Sequence, residues 1–451
     1  MKRAWLVGLA ILATLSLAAS ACGDDGEDSA PTATESSATT AEPDSEPAAD
    51  VSAEDPDTEP APDPTTGEES TEEAPATTQA PAPAEEAAPS GPVAIGLLYS
   101  NSGPGGVLGP PAERALRLAV QDINAAGGVN GAEVQIELAD TATDPAVGRD
   151  AMQRLVSDDQ VDVVIGIHSS ATREAARPLA EEFDTLYLYG ALYEGTECSA
   201  VMFNSGEVPT QQLGPAIPWI MERTGGTRWF LLGNDYVWPR KSFEAAKQII
   251  EEAGGQIVGE QYVPLGTQEF GDVLADLAAA DADLILPALV GGDAIAFELQ
   301  APDYGVGQSE VARLANIYEE GVLGAMGPEL TAGMVVSLGY VKEVDTAANH
   351  EFVDRYVSEF GADFPPNTFA AHVYELALLW ADAANEVGTT DAAAVGAAMK
   401  GRSIDSVRGT VTLTGSRHLA QPIFLVEIGS GGEQVIVETF EHLDPEESCA
   451  L

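Results

Sequence analysis

Residues 161–189 read VDVVIGIHSSATREAARPLAEEFDTLYLY. Val161–Ile165 is a short apolar run of the kind that forms a strand buried on both faces. A loop follows, a helix covers about 172–183, and Thr185–Tyr189 is another strand. Strand, crossover helix and strand make a βαβ unit, whose two strands lie parallel.

The same rhythm extends outward in both directions. Upstream, Val93–Leu98 is a buried strand, followed by a Ser/Gly/Pro loop at 99–109. A helix then opens with Pro110-Pro111, carries Leu116, Val120 and Ile123 on one face, and stops at Gly127-Gly128. Ala132–Leu138 is a strand and 145–157 a helix. The rhythm restarts after a loop at 204–212. Strands are expected at Trp229–Leu232, Gln256–Val263 and Leu284–Leu289, with helices at 240–253, 268–280 and 291–300. A strand at 333–340, helices at 349–360, 368–387 and 391–400, and strands at 408–413, 422–428 and 434–440 complete the pattern. The fold class is α/β, with two doubly wound parallel-sheet lobes. Ligands of such sheets sit beyond the carboxyl ends of the strands. That directs attention to loops 99–109, 139–145, 166–172, 189–195, 233–239, 289–293 and 316–320.

Charge excludes one class of partner. The 451 residues include 73 acidic and 20 basic ones, a formal net charge of −53. A surface this acidic repels phosphate backbones, so no nucleic acid is expected as a partner. Residues 23–90 hold 20 Asp and Glu and no Lys or Arg. The tract at 23–91 is built from Ala, Pro, Thr, Ser, Glu and Asp, which cannot bury enough apolar surface to offset its ordering entropy. It is read as a disordered acidic tether.

Ahead of it, Lys2 and Arg3 precede an apolar stretch from Trp5 to Ala18, and small residues lead to Cys22. Residues 1–21 form a secretory signal, too short for a comfortable membrane span. Ala19-Ser20-Ala21-Cys22 resembles the bacterial lipobox, which implies that Cys22 is lipidated and anchors the protein to the outer face of the cell membrane. An ordinary signal cleavage nearby is the alternative.

The motif search argues against catalysis. There is no G-x-x-x-x-G-K-[ST] phosphate loop, no G-x-S-x-G elbow and no H-E-x-x-H. The five histidines at 168, 350, 372, 418 and 442 lack metal-ligand spacing. The chain is therefore expected to be no enzyme, with no catalytic residue, metal or cofactor. Small-molecule contact chemistry concentrates in three loops. In 166–173, His168 precedes Ser169 and Ser170, whose hydroxyls either cap the following helix or join its free N–H groups in holding a carbonyl or an anion. Tyr189 and Tyr193 stand in the second loop, and Tyr236 and Trp238 in the third. Aromatics with a polar handle suit a small, flat, partly polar ligand, and core packing is their other reading. Tyr318 and Glu319 add a possible anionic contact.

The body from about 92 to 440 resembles the type I substrate-binding proteins of ABC transporters, the Leu/Ile/Val-binding-like group. The matching stretches include RALRLAVQDINAAGGVNG, SSATREAARPLAEEFDTLYLYGALYEG, LLGNDYVWPRKS, GGQIVGEQYVPLG, DADLILPALVGGDAIAF and GYVKEVDTAANHEFVDRY. Within the group it is most similar to the urea and short-chain-amide branch. The resemblance implies two lobes that close on a ligand about a three-crossover hinge, with crossovers near 205–212, 335–342 and 415–425. The N-terminal lobe is then 92–208 plus 341–420, and the C-terminal lobe 209–340 plus 421–451. It implies ligand contacts at His168, Ser169, Ser170, Tyr189, Ala191, Tyr236, Trp238, Tyr318 and Glu319. Ala191 stands where amide binders carry a hydroxyl, and His168 where the amide sensor carries tyrosine. Leu192-Tyr193 replace the hydroxyl that holds the carboxylate in amino-acid binders. The expected function is capture of urea or a short-chain amide and its delivery, by a monomer, to ABC permease subunits. A branched-chain amino acid or other carboxylate is the alternative ligand, and a sensor for a signalling partner the alternative role. With Cys22 lipidated, Cys198 and Cys449 remain as an even pair, which outside the cell suggests a disulfide, free thiols being the alternative.

Overall fold

The computed structural model describes residues 91–306, 311–363 and 365–445. The expected signal, Cys22, nearly all of the expected tether and Cys449 lie outside them.

The first lobe begins with β1 (Val93–Tyr99), α1 (Gly109–Ala125), β2 (Val134–Asp140) and α2 (Pro145–Gln153). It continues through β3 (Val163–Ile167), α3 (Ser170–Glu182), β4 (Leu186–Tyr189) and β5 (Met202–Asn204). The sheet has the order β2-β1-β3-β4-β5, and all its pairings are parallel. All five residues of β3 are buried, as the apolar run at its start requires. Pro110 and Pro111 sit in the first turn of α1, where an N–H has no helical partner to lose. The Asp144 carboxylate accepts from the N–H of Ala146 and Val147 and caps α2.

The second lobe follows with α4 (Pro209–Thr224), β6 (Arg228–Asn234), α5 (Val237–Glu252), β7 (Gln256–Val263) and α6 (Gly271–Ala279). After these come β8 (Leu284–Ala288), α7 (Gly292–Gln300), β9 (Ala312–Ala315), α8 (Glu320–Met326), the single turn α9 (Pro328–Thr331) and β10 (Val335–Leu338). The chain then returns to the first lobe as α10 (Ala347–Phe360), α11 (Thr368–Val387) and α12 (Ala392–Met399), with α10 and α11 against α1. It ends in β11 (Ser403–Ser406), β12 (Gly409–Leu413), β13 (Leu419–Ile428) and β14 (Gln434–Leu443).

The second sheet is not wholly parallel. The strands β7-β6-β8-β9-β10 are parallel, but β13 joins β10 antiparallel and carries β12 and β14 antiparallel in turn. Strand β13 also serves as a connection between lobes. An isolated parallel bridge pairs His418, just before it, with Asn204 at the end of β5, while Phe424 pairs with Leu338 of β10.

Buried charge ties the connections together. Glu207, between β5 and α4, accepts from the Gly339 N–H after β10 and from the Thr368 hydroxyl at 2.7 Å. Arg408 holds both Glu375 carboxylate oxygens, at 2.9 and 2.6 Å, and the Gln421 side-chain oxygen in β13 at 2.6 Å. Cys198 is in a disulfide.

Candidate functional site

A cleft opens where the carboxyl ends of the two sheets face each other. Its cavity holds about 490 Å³ of space not filled by protein, part of it open solvent. From the first lobe come Ser100 after β1, Gly105 and Leu108 before α1, and Thr143 after β2. Ile167 to Ser170 after β3, with Ala191 and Leu192 after β4, continue that wall. From the second lobe come Tyr236, Trp238, Leu265, Val290 and Ile317, and Phe369 of α11 closes the back. The lining is mostly apolar, and among the described residues no Asp, Glu, Lys or Arg lines it.

The polar end is the start of α3. The Ser169 hydroxyl accepts from the Thr172 N–H at 3.3 Å and so caps the helix. The N–H groups of Ser170 and Ala171 lie in the first turn, where no helical carbonyl reaches them, and the helix dipole adds a partial positive charge. The Ser170 hydroxyl is buried near the Tyr189 hydroxyl and, by strict geometry, has no hydrogen-bond partner among the described residues. Burial pushes the His168 imidazole down to about 3, so the ring is neutral. Its Nδ1 lies 3.1 Å from the Ser169 carbonyl and its Nε2 2.6 Å from the Tyr187 hydroxyl. The carbonyl only accepts, so Nδ1 carries the proton and Nε2 accepts from the tyrosine. Both nitrogens are spent on the protein, and His168 offers a ligand its ring rather than a charge.

The structure brings His168, Ser169, Ser170, Ala191, Tyr236 and Trp238 together around the cavity. It does not bring Tyr189, Tyr318 or Glu319 there. The Tyr189 hydroxyl donates to the His168 carbonyl, and the Arg173 guanidinium lies over its ring, 5.1 Å from the centroid. Arg173 is itself buried between Tyr189 and Tyr193 and paired with Glu194 and Glu197. Tyr318 is fully buried in the second lobe, where Glu298 and Arg313 act on it and burial raises its hydroxyl well above 10. Glu319 caps α8 by accepting from Gly321 and Val322 and takes a third hydrogen bond, 2.6 Å long, from the Asn367 amide.

Tyr318 is one step, and Tyr189 and Glu319 two, from a residue that does line the cavity. Successive residues of an extended chain point to opposite sides. Ile317 therefore faces the cavity and Tyr318 the core, and Leu192 faces it while Tyr193 turns to stack on His418. Ser100, Gly105, Leu108, Thr143 and Val290 lie in loops flagged by the strand-end rule alone. Leu265 and Phe369 carried no signal, the first after β7 and the second inside a helix of another segment.

Two α/β lobes meeting over a mostly apolar cavity with a helix N-terminus at one end are the frame of a small-molecule binding protein. The chain belongs to the periplasmic binding protein family, whose model matches residues 92–433. It is 26% identical over 342 residues to Leu/Ile/Val-binding protein homolog 7 of Brucella abortus, covering 71% of this chain and 84% of that protein. Among solved structures, a solute-binding protein of an ABC transporter from R. palustris, in complex with benzoate, superposes with a TM-score of 0.72. It is 23% identical and spans 79% of this chain and 99% of that one. A leucine-binding protein from Thermotoga maritima superposes with a TM-score of 0.70 at 19% identity, over 77% of this chain and 99% of that one. At these identities the structures speak for the fold.

Proposed function

We propose that this protein is the extracytoplasmic solute-binding component of an ABC importer, and that its ligand is a small acid or amide with an apolar, preferably aromatic, body. The single observation that carries the reading is the make-up of the cavity: the bare N–H groups and Ser170 hydroxyl of α3 at one end, and an uncharged, mostly apolar wall elsewhere. A carboxylate or carboxamide oxygen fits the first, and an alkyl or phenyl group the second. Urea fits the polar end but leaves the apolar wall without a partner. An α-amino acid fits less well, because its ammonium meets no acidic residue among the described lining. The benzoate complex of the R. palustris neighbour has the favoured shape of ligand. In this reading Cys22 carries the lipid anchor, the acidic tract spans the distance to the body, and the protein binds and releases its ligand as a monomer without transforming it.

Calorimetric titration of protein refolded to strip bound ligand tests this, with benzoate, benzamide, leucine, acetamide and urea as probes. Benzoate or benzamide binds saturably, and Ser170→Ala weakens that binding about tenfold, the worth of one hydrogen bond to a charged or strongly polar group. Binding of leucine alone, or of urea alone, would sink the proposed ligand class and leave the fold untouched.

A further inference from the structure

The two lobes touch at the mouth of the cavity, and they do so on bare backbone. A Cβ built on Gly291 in the second lobe would stand 2.7 Å from the Pro104 carbonyl oxygen of the first, and 3.3 Å from a Val107 methyl. A Cβ built on Gly266 would meet the Pro104 ring at 3.5 Å. Gly291 has φ +54° and ψ −115°, and Gly266 has φ +91°, conformations that glycine alone adopts readily. The seam lies directly over the ligand space. Gly105 and Leu108 line the cavity beside the first-lobe loop, and Leu265 and Val290 stand one residue before the two glycines.

Both glycine turns are held by one buried pair. Asp293 takes hydrogen bonds from the N–H of Gly266, at 2.9 Å, and of Thr267, at 3.2 Å, and from the Asn234 amide at 2.6 Å. The Asn234 side-chain oxygen in turn accepts from the Val290 N–H at 2.8 Å. The end of β6 thus fixes the 264–267 and 290–293 turns relative to each other, and the surface on which Pro104 lands is rigid.

We propose that the Pro104–Val107 loop seated on Gly291 and Gly266 is the closing seam of the protein, and that it sets affinity and the upper length of ligand through closure of the lobes. The seam leaves no gap, so anything on Gly291 larger than hydrogen holds the lobes apart. A ligand that protrudes past Leu108 and Val290 does the same. The apparent dissociation constant rises in proportion as the closed fraction falls. Asn234 and Asp293 act as positioning residues for this contact. The length limit rests on the ligand class proposed above; the seam itself does not.

Nitroxide labels on Glu174→Cys in α3 and Glu244→Cys in α5, in a Cys22→Ser background, read the distance across the cleft by double electron–electron resonance. Ligand-free wild type and Gly292→Ala, whose added Cβ meets nothing within 4 Å, share a short-distance population that benzoate increases. Gly291→Ala depletes that population about tenfold and weakens benzoate binding by the same factor. Val107→Phe enlarges the opposite side of the seam without straining Gly291, and it has the same effect. 4-Butylbenzoate, the same head on a longer body, populates the short distance less than benzoate does. Retention of the short distance in both seam variants would overturn the proposal, as would its absence from wild type with and without benzoate. Equal closure by the two acids would overturn the length limit alone. Should wild type bind no probe, the ligand class falls, while the ligand-free distances still decide the seam.

Discussion

Burial pushes the His168 imidazole down to about 3 and that of His418 to about 4, the first against the cavity and the second under Tyr193. In the unfolded chain both take up a proton near 6.5. As the pH falls below about 6.5 the unfolded state therefore binds protons that the native state refuses. Stability declines by up to about 1.4 kcal/mol per pH unit for each fully buried ring until its folded value is reached. His168→Asn removes one ring, so its unfolding free energy falls less steeply between about pH 6.5 and pH 4 than that of wild type. Denaturant titrations across that range check it, and equal slopes would contradict a neutral His168. Much of the site was legible at this scale, because a loop after a buried strand announces itself by composition. His168, Ser169, Ser170, Tyr236 and Trp238 were found that way. Which of two neighbours faces the cavity was not legible, because the alternation of an extended chain has a known period but an unknown phase. Tyr318 and Ile317 were exchanged for that reason.

The elements divide by whether their signals are local. Helix α3 was readable because Ser169 and Ser170 mark its start. Ser169→Ala removes the hydroxyl that accepts from Thr172 and costs about 1 kcal/mol of stability, measured by denaturant unfolding. Ser169→Asp keeps a capping oxygen and the stability, yet abolishes benzoate binding by setting a carboxylate where the ligand's own belongs. Loss of stability in both, or benzoate binding retained by the aspartate variant, would argue against this assignment of the α3 start. Helix α4 went unexpected although Leu213, Ile217, Ile220 and Met221 form a buried stripe at helical spacing. Pro215 and Pro218 lie inside it, and two prolines in one apolar stretch read as a break. Strand β9 is four residues long and contains Arg313, whose charge argues against a strand interior until Glu298 is seen against it at 2.6 Å. That partner is 15 residues away in the chain, and no local reading finds it. The antiparallel end of the second sheet was missed for a related reason. Alternation of strands and helices predicts parallel pairing, but it says nothing about strands that follow a run of helices.

At the scale of the whole molecule, charge is the dominant unbalanced quantity. Residues 91–451 alone hold 53 acidic and 18 basic side chains. The repulsion is long-ranged at low salt and is opposed by only a scatter of surface ion pairs, each worth little. Raising sodium chloride from about 0.1 M to about 1 M shortens the screening length from about 10 Å to about 3 Å. The melting temperature should rise steadily over that range, and a flat or falling curve by differential scanning calorimetry would show that the acidic surface is not what limits stability. Against this diffuse push, the strand that passes between lobes has a particular consequence. β13 pairs with β12 at Leu419 and Ala420, with β10 from Phe424 to Glu427 and with β14 along most of its length, while the residue before it bridges to β5. Its ladder with β14 is interrupted between Gln421 and Ile423, just before the stretch paired with β10, and again between Leu425 and Val426, within that stretch. Bending at the first of these breaks would disturb pairing with β14 that is already irregular and leave the ladder with β10 intact. Neither lobe, however, can surrender the strand alone. A strand shared in this way makes the two lobes a single target for heat and for proteases: what unfolds one strips the other of a strand it is built on.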